Sequence, residues 1–511
     1  ENKRIIAKTL RESGGKTRMK RKLTWGETLS ITSMLFGMFF GAGNLIFPAK
    51  MGQMAGWNLW PAFIGMFITG VGLPLLGVAA LGISRSNGLQ ALSSKVGKGY
   101  GYFFTCALYL TIGPFFAIPR CATVPFSIGI APLVGGETGL TLVIYSVIFF
   151  ALVLVFSLFP GRIMTWIGRI LNPVFLVLLG VLTITALVNP VGSINNIEPA
   201  GGYASQPFFK GFLEGYNTMD ALASLAFGIV VVNVIRGRGV EEPGAVAGNT
   251  VRAGVFSCLM MGAIYLAITV ACGQLQALFT VSENGEKAKN VLEWLLGSSE
   301  AAEKMLSPEM QGSLQQFLSD RNGGEVLAML AHHYFGSEGA LILAGVITFA
   351  CMKTAIGLIT SCSETFCTMM PKGPSYRVWA VIFCVVSLLI ANLGLSTIID
   401  YSVPVLMFLY PLAITLILLA LLGRFFDHSR KVYAWVTGCT LAAAVLDLVN
   451  ALPAATVNLL HLDGVIAFAK SYVPLFKLGL GWVCPALLGL GIGLICYFSG
   501  RKDAPQKTAQ A

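Results

Sequence analysis

Ionisable side chains set inside long apolar runs are costly, so their positions point to chemistry before any fold is considered. Arg120 lies in "GPFFAIPRCATVPFSIGIAP", bracketed by Pro114, Pro119 and Pro125. An arginine at mid-membrane costs at least ~2.5 kcal/mol unless it faces protein or a water-filled cavity. Phe116, Arg120, Thr123 and Ser127 recur at the spacing of one helix face, which should look inward. The other reading is structural, a guanidinium that caps carbonyls freed by the three prolines.

A second such run is "AGVITFACMKTAIGLITSCSETF", where Ala350, Thr354, Gly357, Ser361 and Glu364 share a small and polar face with Lys353 beside it. Small faces serve ordinary helix packing, but packing does not require Lys353 and Glu364. Eleven residues separate them, roughly 16 Å along a straight helix, so each needs its own partner or water. In "EGYNTMDALASLAFGIVVVN" the residues Tyr216, Asp220 and Ser224 fall four apart on one face. Asp220 stands either within the membrane or at its outer interface.

Such residues need a break in the backbone near them, and "GMFFGAGNLIFP" supplies one candidate. Glycines at 37, 41 and 43 each weaken a helix by about 1 kcal/mol relative to Ala, and Pro48 removes a backbone donor. An unwound segment in lipid is tolerable only where its freed amides and carbonyls line a cavity or bind a ligand. Broken helices at matching positions of two halves mark binding sites in many secondary transporters. Close glycine packing of intact helices is the alternative.

The elements that would hold these groups are membrane helices. The chain is 55% hydrophobic and 12% charged over 511 residues, with a mean hydropathy of +0.74. So few charges cannot cover the surface of several soluble domains. Apolar runs able to cross roughly 30 Å of hydrocarbon fall at 26–53, 57–84, 100–133, 139–159, 170–189, 215–236, 253–275, 338–370, 377–396, 402–423, 431–452 and 476–499. The expected fold class is therefore an all-α polytopic membrane protein with 12 transmembrane helices.

Lys and Arg resist translocation and accumulate in cytoplasmic loops. They crowd the leader (Lys3 to Lys22) and the segments around Lys95, Arg162 and Arg169, Arg236 to Arg252, Lys372 and Arg377, and Arg424 to Lys431, and recur in the tail. Both termini are expected inside, on the cytoplasmic face of the membrane. The net charge of +11 then reflects topology and anionic inner-leaflet lipid, and no nucleic-acid partner is expected. Residues 1–22 form a basic leader, of which 1–18 reads as a disordered extension before Met19; 23–500 form the membrane domain and 501–511 a cytoplasmic tail.

The sequence offers little for catalysis. The eleven cysteines lie in or beside apolar runs without a CxxC pair, and His332, His333, His428 and His461 form no metal-ligand spacing. No HExxH, GxSxG, phosphate-loop or dinucleotide pattern stands in a suitable context. An enzyme, a cofactor and a resident metal are not expected.

Longer stretches carry a resemblance. "FGAGNLIFP", "GPFFAIPRCAT", "GYNTMDALASLAFGIVVVNVIRGRGV", "NGGEVLAMLAHHYFG" and "NLGLSTIIDYSVPVLMFLYPLAI" occur in this order. Together they resemble the bacterial branched-chain amino acid:cation symporters, the LIV-II type carriers, over residues 19 to about 500. The resemblance implies a LeuT-type 5+5 inverted repeat with broken helices 1 and 6, repeats at about 26–189 and 215–423, and peripheral helices at 431–499. It also implies uptake of Leu, Ile and Val coupled to Na⁺, with an apolar amino acid and the bilayer as partners. By motif, Gly41, Ala42 and Gly43 would offer backbone groups to the substrate carboxylate. Asp220 and Ser224 would meet the substrate from helix 6, and Phe116 and Leu358 would receive its aliphatic side chain. The cation would take carbonyls of Gly37, Phe40 and Ala350 and the hydroxyl of Thr354. Asn44 would be an ion ligand or the lock of the break. Arg120, Thr123, Tyr216 and Glu364 would be intramembrane polar or gating residues.

Three departures stand out. Lys353 adjoins Thr354 where relatives often carry Val or Thr, so an ammonium could replace Na⁺ or carry a proton. Ser127 stands where a glutamate is usual. The loop 276–337 is longer than expected, and its spaced Leu, Trp and Met among Glu and Lys imply amphipathic outer helices acting as a lid or ornament. Proton-coupled or cation-independent transport is the alternative coupling; a channel or an amino-acid sensor using the same pocket is the alternative class.

Overall fold

The computed structural model describes residues 23–84, 86, 88–131, 139–158, 172–240, 242–280 and 285–502. The basic leader, the loop bearing Arg162 and Arg169, and the tail beyond 502 lie outside the described residues. The described chain is helical. Seven helices in it are long and apolar enough to cross a bilayer, and the pair Asp220–Gly228 and Val230–Gly237, bent by 41°, makes an eighth. Leu176–Val188, Tyr376–Ala391 and Val483–Ser499 are shorter apolar helices.

Helix α1 (Trp25–Phe39) starts from a capping box in which the Glu27 amide donates to Thr24 Oγ1 at 3.2 Å and the Thr24 amide donates to Glu27 Oε2 at 2.9 Å. It ends at Phe40, whose ψ of 105° is extended, and α2 (Gly43–Ala55) restarts three residues on. The break expected from the glycines is present at 40–42. Pro48 does not contribute to it, because α2 runs through that residue and its carbonyl accepts from Thr269 Oγ1 at 3.2 Å. A proline past the first turn lacks one donor but need not end a helix whose neighbours satisfy the backbone.

Next come α3 (Leu59–Phe67) and α4 (Leu73–Ile83), joined by a π-turn. Helix α5 (Lys98–Leu110) leads through a kink at Gly113 into α6 (Ala117–Pro125), and a further π-turn spans Phe126–Ile130. These irregularities correct the expected face from Phe116 to Ser127. Phe116 lies in the kink and Ser127 in the π-turn, so only Arg120 and Thr123 share the intact helix. Helices α7 (Gly139–Leu158) and α8 (Asn172–Val188) follow.

The run expected at 215–236 starts earlier and is broken. Helix α9 (Pro207–Asn217) ends before Thr218, Met219 takes a left-handed φ of 63°, and α10 (Asp220–Gly237) begins immediately. Tyr216 and Asp220 therefore stand on opposite sides of a break and share no face, which corrects a second expectation. Against α9 lies α3. A Cβ on Gly65 would overlap the backbone of Phe208, and one on Gly211 the backbone of Ala62, so the two helices meet backbone to backbone.

Helix α11 (Pro243–Thr280) packs along α2 and exceeds the expected 253–275. The long loop then forms three helices, α12 (Gly285–Leu296), α13 (Ser299–Met305) and α14 (Gln311–Ser319), each burying an apolar side. It is tied to α2: Lys50 Nζ donates to the carbonyls of Ser319 at 2.6 Å and Arg321 at 2.5 Å, and Gln53 Nε2 donates to Leu318 O at 2.8 Å. Helix α15 (Gly323–Met369) turns sharply at Gly336, which separates the approach segment from the long run bearing Lys353.

The last helices are α16 (Tyr376–Ala391), α17 (Leu395–Leu422), α18 (Arg430–Ala451) and α19 (Val483–Lys502). Helix α16 stops before the expected residue 396, where Gly394 takes φ 85°. Likewise α19 starts later than residue 476, because Phe476–Leu478 is a 3-10 turn between left-handed Leu475 and Gly479.

Candidate functional site

The two breaks face each other. Asn44 Oδ1 accepts the Gly41 amide at 2.8 Å, while its Nδ2 donates to Asp220 Oδ2 at 2.7 Å and to the Tyr265 hydroxyl at 2.5 Å. Tyr265 in turn donates to Asp220 Oδ2 at 2.8 Å. All three side chains are buried. The approach is close enough that a Cβ on Gly43 would lie 3.3 Å from the backbone of Thr218, a tight contact that a side chain there would have to push back by a few tenths of an ångström. Asn44 thus hydrogen-bonds α2 to both α10 and α11.

Towards the Lys50 end of the molecule, Arg120 closes the next layer. Its Nη1 donates to Asn217 O at 2.9 Å, its Nη2 to Ser402 Oγ, and its guanidinium sits 5.3 Å from the Phe47 ring centroid. Arg120 does cap a carbonyl, but it is the one at the end of broken α9 rather than one freed by the prolines of its own helix. Behind it, Asn217 Nδ2 donates to Glu214 Oε1 at 3.3 Å, Lys210 pairs with Glu214 at 3.1 Å, and Tyr216 stacks on Tyr410 with centroids 4.0 Å apart.

Between the breaks lies a cavity of ≈ 40 Å³ lined by Gly41, Ala42, Gly43, Asn44, Arg120 and Asp220, with Ile112, Ala117, Phe227, Thr354 and Leu358 on its other walls. One water takes up about 10–15 Å³ on this measure, so the space holds only a few. Several expected residues are elsewhere. Phe116 is outside the lining, and Ala117 takes that position. Ser224 donates to Ala221 O at 2.7 Å and abuts Gly77. Thr123 is buried and turns back to Pro119 O at 3.4 Å, and Tyr216 is occupied by its stack.

On the Trp25 side, Thr354 Oγ1 lies 3.4 Å from Phe40 O and 3.3 Å from Ala350 O, a small cluster of oxygens where α1 ends. It borders a vestibule of ≈ 740 Å³ that includes Gly37, Arg238, Lys353, Ser361 and Glu364 in its lining. Lys353 lines the same vestibule as Thr354, and Glu364 lines it further along the same helix. Among the described residues no group of three or more His, Cys, Asp or Glu could hold a metal ion.

Tyr265, Ser402, Phe227 and Met219 complete the site without having been singled out in the sequence. Tyr265 carried a signal, a lone phenol in the apolar run "GAIYLAITV". The others offered none.

Helices broken near their middles, facing each other across a cavity that their ends line, are the arrangement found in transporters with broken helices. The fold is of the LeuT type. The nucleobase-cation-symport-1 family transporter Mhp1, solved closed with bromovinylhydantoin bound, shares it with a TM-score of 0.50 at 16% identity, covering 94% of each chain. The inward-facing form of Mhp1 matches with a TM-score of 0.54 at 13% identity, covering 94% of this chain and 92% of that one.

The model of the family described as "Branched-chain amino acid transport protein" matches residues 25–303 and 304–499. The chain is 49% identical over 469 residues to the branched-chain amino acid permease BrnQ of Lactobacillus delbrueckii subsp. lactis, covering 91% of this chain and 96% of that protein. It is 38% identical over 472 residues to the permease BrnQ of Bacillus subtilis, with 92% and 97% covered. This chain belongs to the branched-chain amino acid transport protein family. Its relatives are named as permeases and carriers, so its activity is transport rather than catalysis.

Proposed function

We propose that the chain takes up leucine, isoleucine and valine across a bacterial cytoplasmic membrane by alternating access. It would do so with twelve crossings, inverted repeats at about 26–189 and 215–423, and both termini inside. The supporting observation is the lining of the central cavity: one acid, one base and the start of a helix meet apolar walls. That set complements a zwitterion with an aliphatic side chain, which enters once the breaks part, because the space in this conformation holds only a few waters. Asp220 takes the ammonium. The carboxylate meets the first amides of α2 at Ala42 and Gly43, where the helix dipole favours an anion, with Arg120 beyond. Gly41 has a different task, because its amide is held by Asn44. Ile112, Phe227 and Leu358 receive the side chain.

The coupling ion is Na⁺, carried between the carbonyls of Phe40 and Ala350 and the hydroxyl of Thr354, with Gly37 O near the end of α1. Hard cations take oxygen ligands of this kind. A second reading gives the cation's place to the Lys353 ammonium, and the shared lining of Lys353 and Thr354 favours it.

Uptake of labelled substrate into proteoliposomes separates the two. Accumulation under an imposed Na⁺ gradient, with Na⁺ dependence lost in Thr354→Val, supports the first. Accumulation that ignores Na⁺ and disappears in Lys353→Ala replaces it with the second. No flux of any of the three amino acids would overturn the transport reading.

A further inference from the structure

Asp447 in α18 is only 4% exposed, and its Oδ2 meets no hydrogen-bond partner among the described residues. A buried carboxylate oxygen without a partner is costly, so a native structure that keeps one calls for a ligand or water. Asp447 lines a cavity of ≈ 210 Å³ that is separate from the central one. This cavity lies at the Lys50 end, between α9, α17, α18 and the turn at Phe476–Leu478. Two lysines border it. Lys210 is committed to Glu214 at 3.1 Å, whereas Lys477 is exposed and makes no ion pair among the described residues. Leu213 and Met407 supply an apolar wall, and Asn450 a neutral polar group.

We propose that this cavity is a second amino-acid site, with the ligand ammonium on Asp447, its carboxylate on Lys477 and an aliphatic side chain against Leu213 and Met407. The charge pattern selects the class. An inorganic anion would meet the Asp447 carboxylate, and a metal ion would meet the Lys477 ammonium. A zwitterion satisfies both and adds no net charge. Lys210 and Leu213 belong to α9, the half-helix whose terminal carbonyl holds Arg120. An occupant therefore braces α9 against opening and slows exchange at the central site. The inference rests on the reading that this chain binds apolar amino acids. An ethanolamine phospholipid headgroup shares the pairing of ammonium with anionic oxygen, so the test includes it.

Equilibrium binding of labelled L-leucine to the purified full-length protein, in detergent freed of phospholipid, should give two ligands per chain. Asp447→Asn should remove one of them. Met407→Trp, which fills the cavity without touching a charge, should do the same, and both should leave the remaining dissociation constant within about twofold, well below the tenfold that 1.4 kcal/mol represents. One leucine per chain, unchanged by either variant, overturns the second site and leaves the central reading standing. A wild-type chain that binds no leucine removes the central reading as well. If phosphatidylethanolamine, but not phosphatidylcholine, displaces the second leucine from the wild type and fails to bind Met407→Trp, the cavity belongs to a lipid headgroup and the amino-acid assignment is overturned.

Discussion

Exchanging the side chains at 44 and 220 tests the lock between the breaks. In Asn44→Ala the Asp220 carboxylate loses a donor at 2.7 Å, and the Gly41 amide loses its acceptor at 2.8 Å. A hydrogen bond to a charged group contributes ~1.5–3 kcal/mol, and a buried amide left unpaired costs ~1–3 kcal/mol. Partial relaxation and non-additivity reduce the sum, and about 3 kcal/mol remains. At the entropy scaling of globular proteins, ~2.1 cal/mol/K per residue, this lowers the melting temperature of a chain this long by about 3 °C. If the same geometry shapes the substrate site, leucine affinity falls about 100-fold.

The double variant Asn44→Asp with Asp220→Asn keeps every bond of the network with donor and acceptor exchanged. An aspartate at 44 accepts the Gly41 amide, and it accepts again from Tyr265 and from the new amide at 220. Melting measurements should show stability restored to near the wild type. Leucine binding should stay weak, because the carboxylate that meets the ammonium has moved. A double variant no more stable than the weaker single would refute the lock. Full recovery of affinity would refute the assignment of the ammonium to Asp220.

Arg120→Gln should loosen the layer that holds Asn217 and Ser402, so a membrane-impermeant thiol reagent should label Cys121 several-fold faster in a chain whose other cysteines are replaced. Gly211→Ala should lower the melting temperature, since its Cβ would overlap the Ala62 backbone; the opposite sign, expected of Gly to Ala in an open helix at about 1 kcal/mol, would deny the close contact. Lys50→Met leaves the carbonyls of Ser319 and Arg321 without their donor, and limited proteolysis between 296 and 322 should accelerate about tenfold if ~1.5 kcal/mol is lost. His428 sits where partial burial, then Lys95 and Arg424, push its pKa below the ordinary value. The unfolded chain therefore takes up the proton first, and stability declines as pH falls through ~6.5 towards the lower native value. His428→Asn, which tolerates the φ of 51°, should flatten that decline in melting curves taken above and below this pH.

The first break was legible because glycine clusters weaken a helix locally, and Pro48 was misleading because neighbouring elements can satisfy a proline's turn. The second break was not legible in the same way. Thr218 and Met219 include neither Gly nor Pro, and the left-handed Met219 is held by tertiary contacts, the Gly43 approach and the Asn44 bond to Asp220. Arg120 announced itself by its cost, but its partners Asn217 and Ser402 lie 97 and 282 residues away and leave no periodic trace. Tyr265 lies 221 positions from Asn44 and could be seen only as an oddity in an apolar run.

The distribution of work in the site has a consequence for selectivity. In the proposed reading, backbone amides, Asp220 and Arg120 address the ammonium and carboxylate that every amino acid carries, so they would not distinguish one amino acid from another. Discrimination is left to Ile112, Phe227 and Leu358, which offer shape and no hydrogen bond. A hydrophobic wall gains only ~1–3 kcal/mol per methylene and rejects a hydroxyl-bearing isostere weakly. Leucine, isoleucine and valine should therefore compete within about one to two orders of magnitude in affinity, and threonine should compete against valine about 100-fold less well. Competition binding against labelled leucine measures this directly. Preferences much steeper than these would mean that a polar side chain outside this wall reads the substrate, and the apolar wall would then not be the selectivity filter.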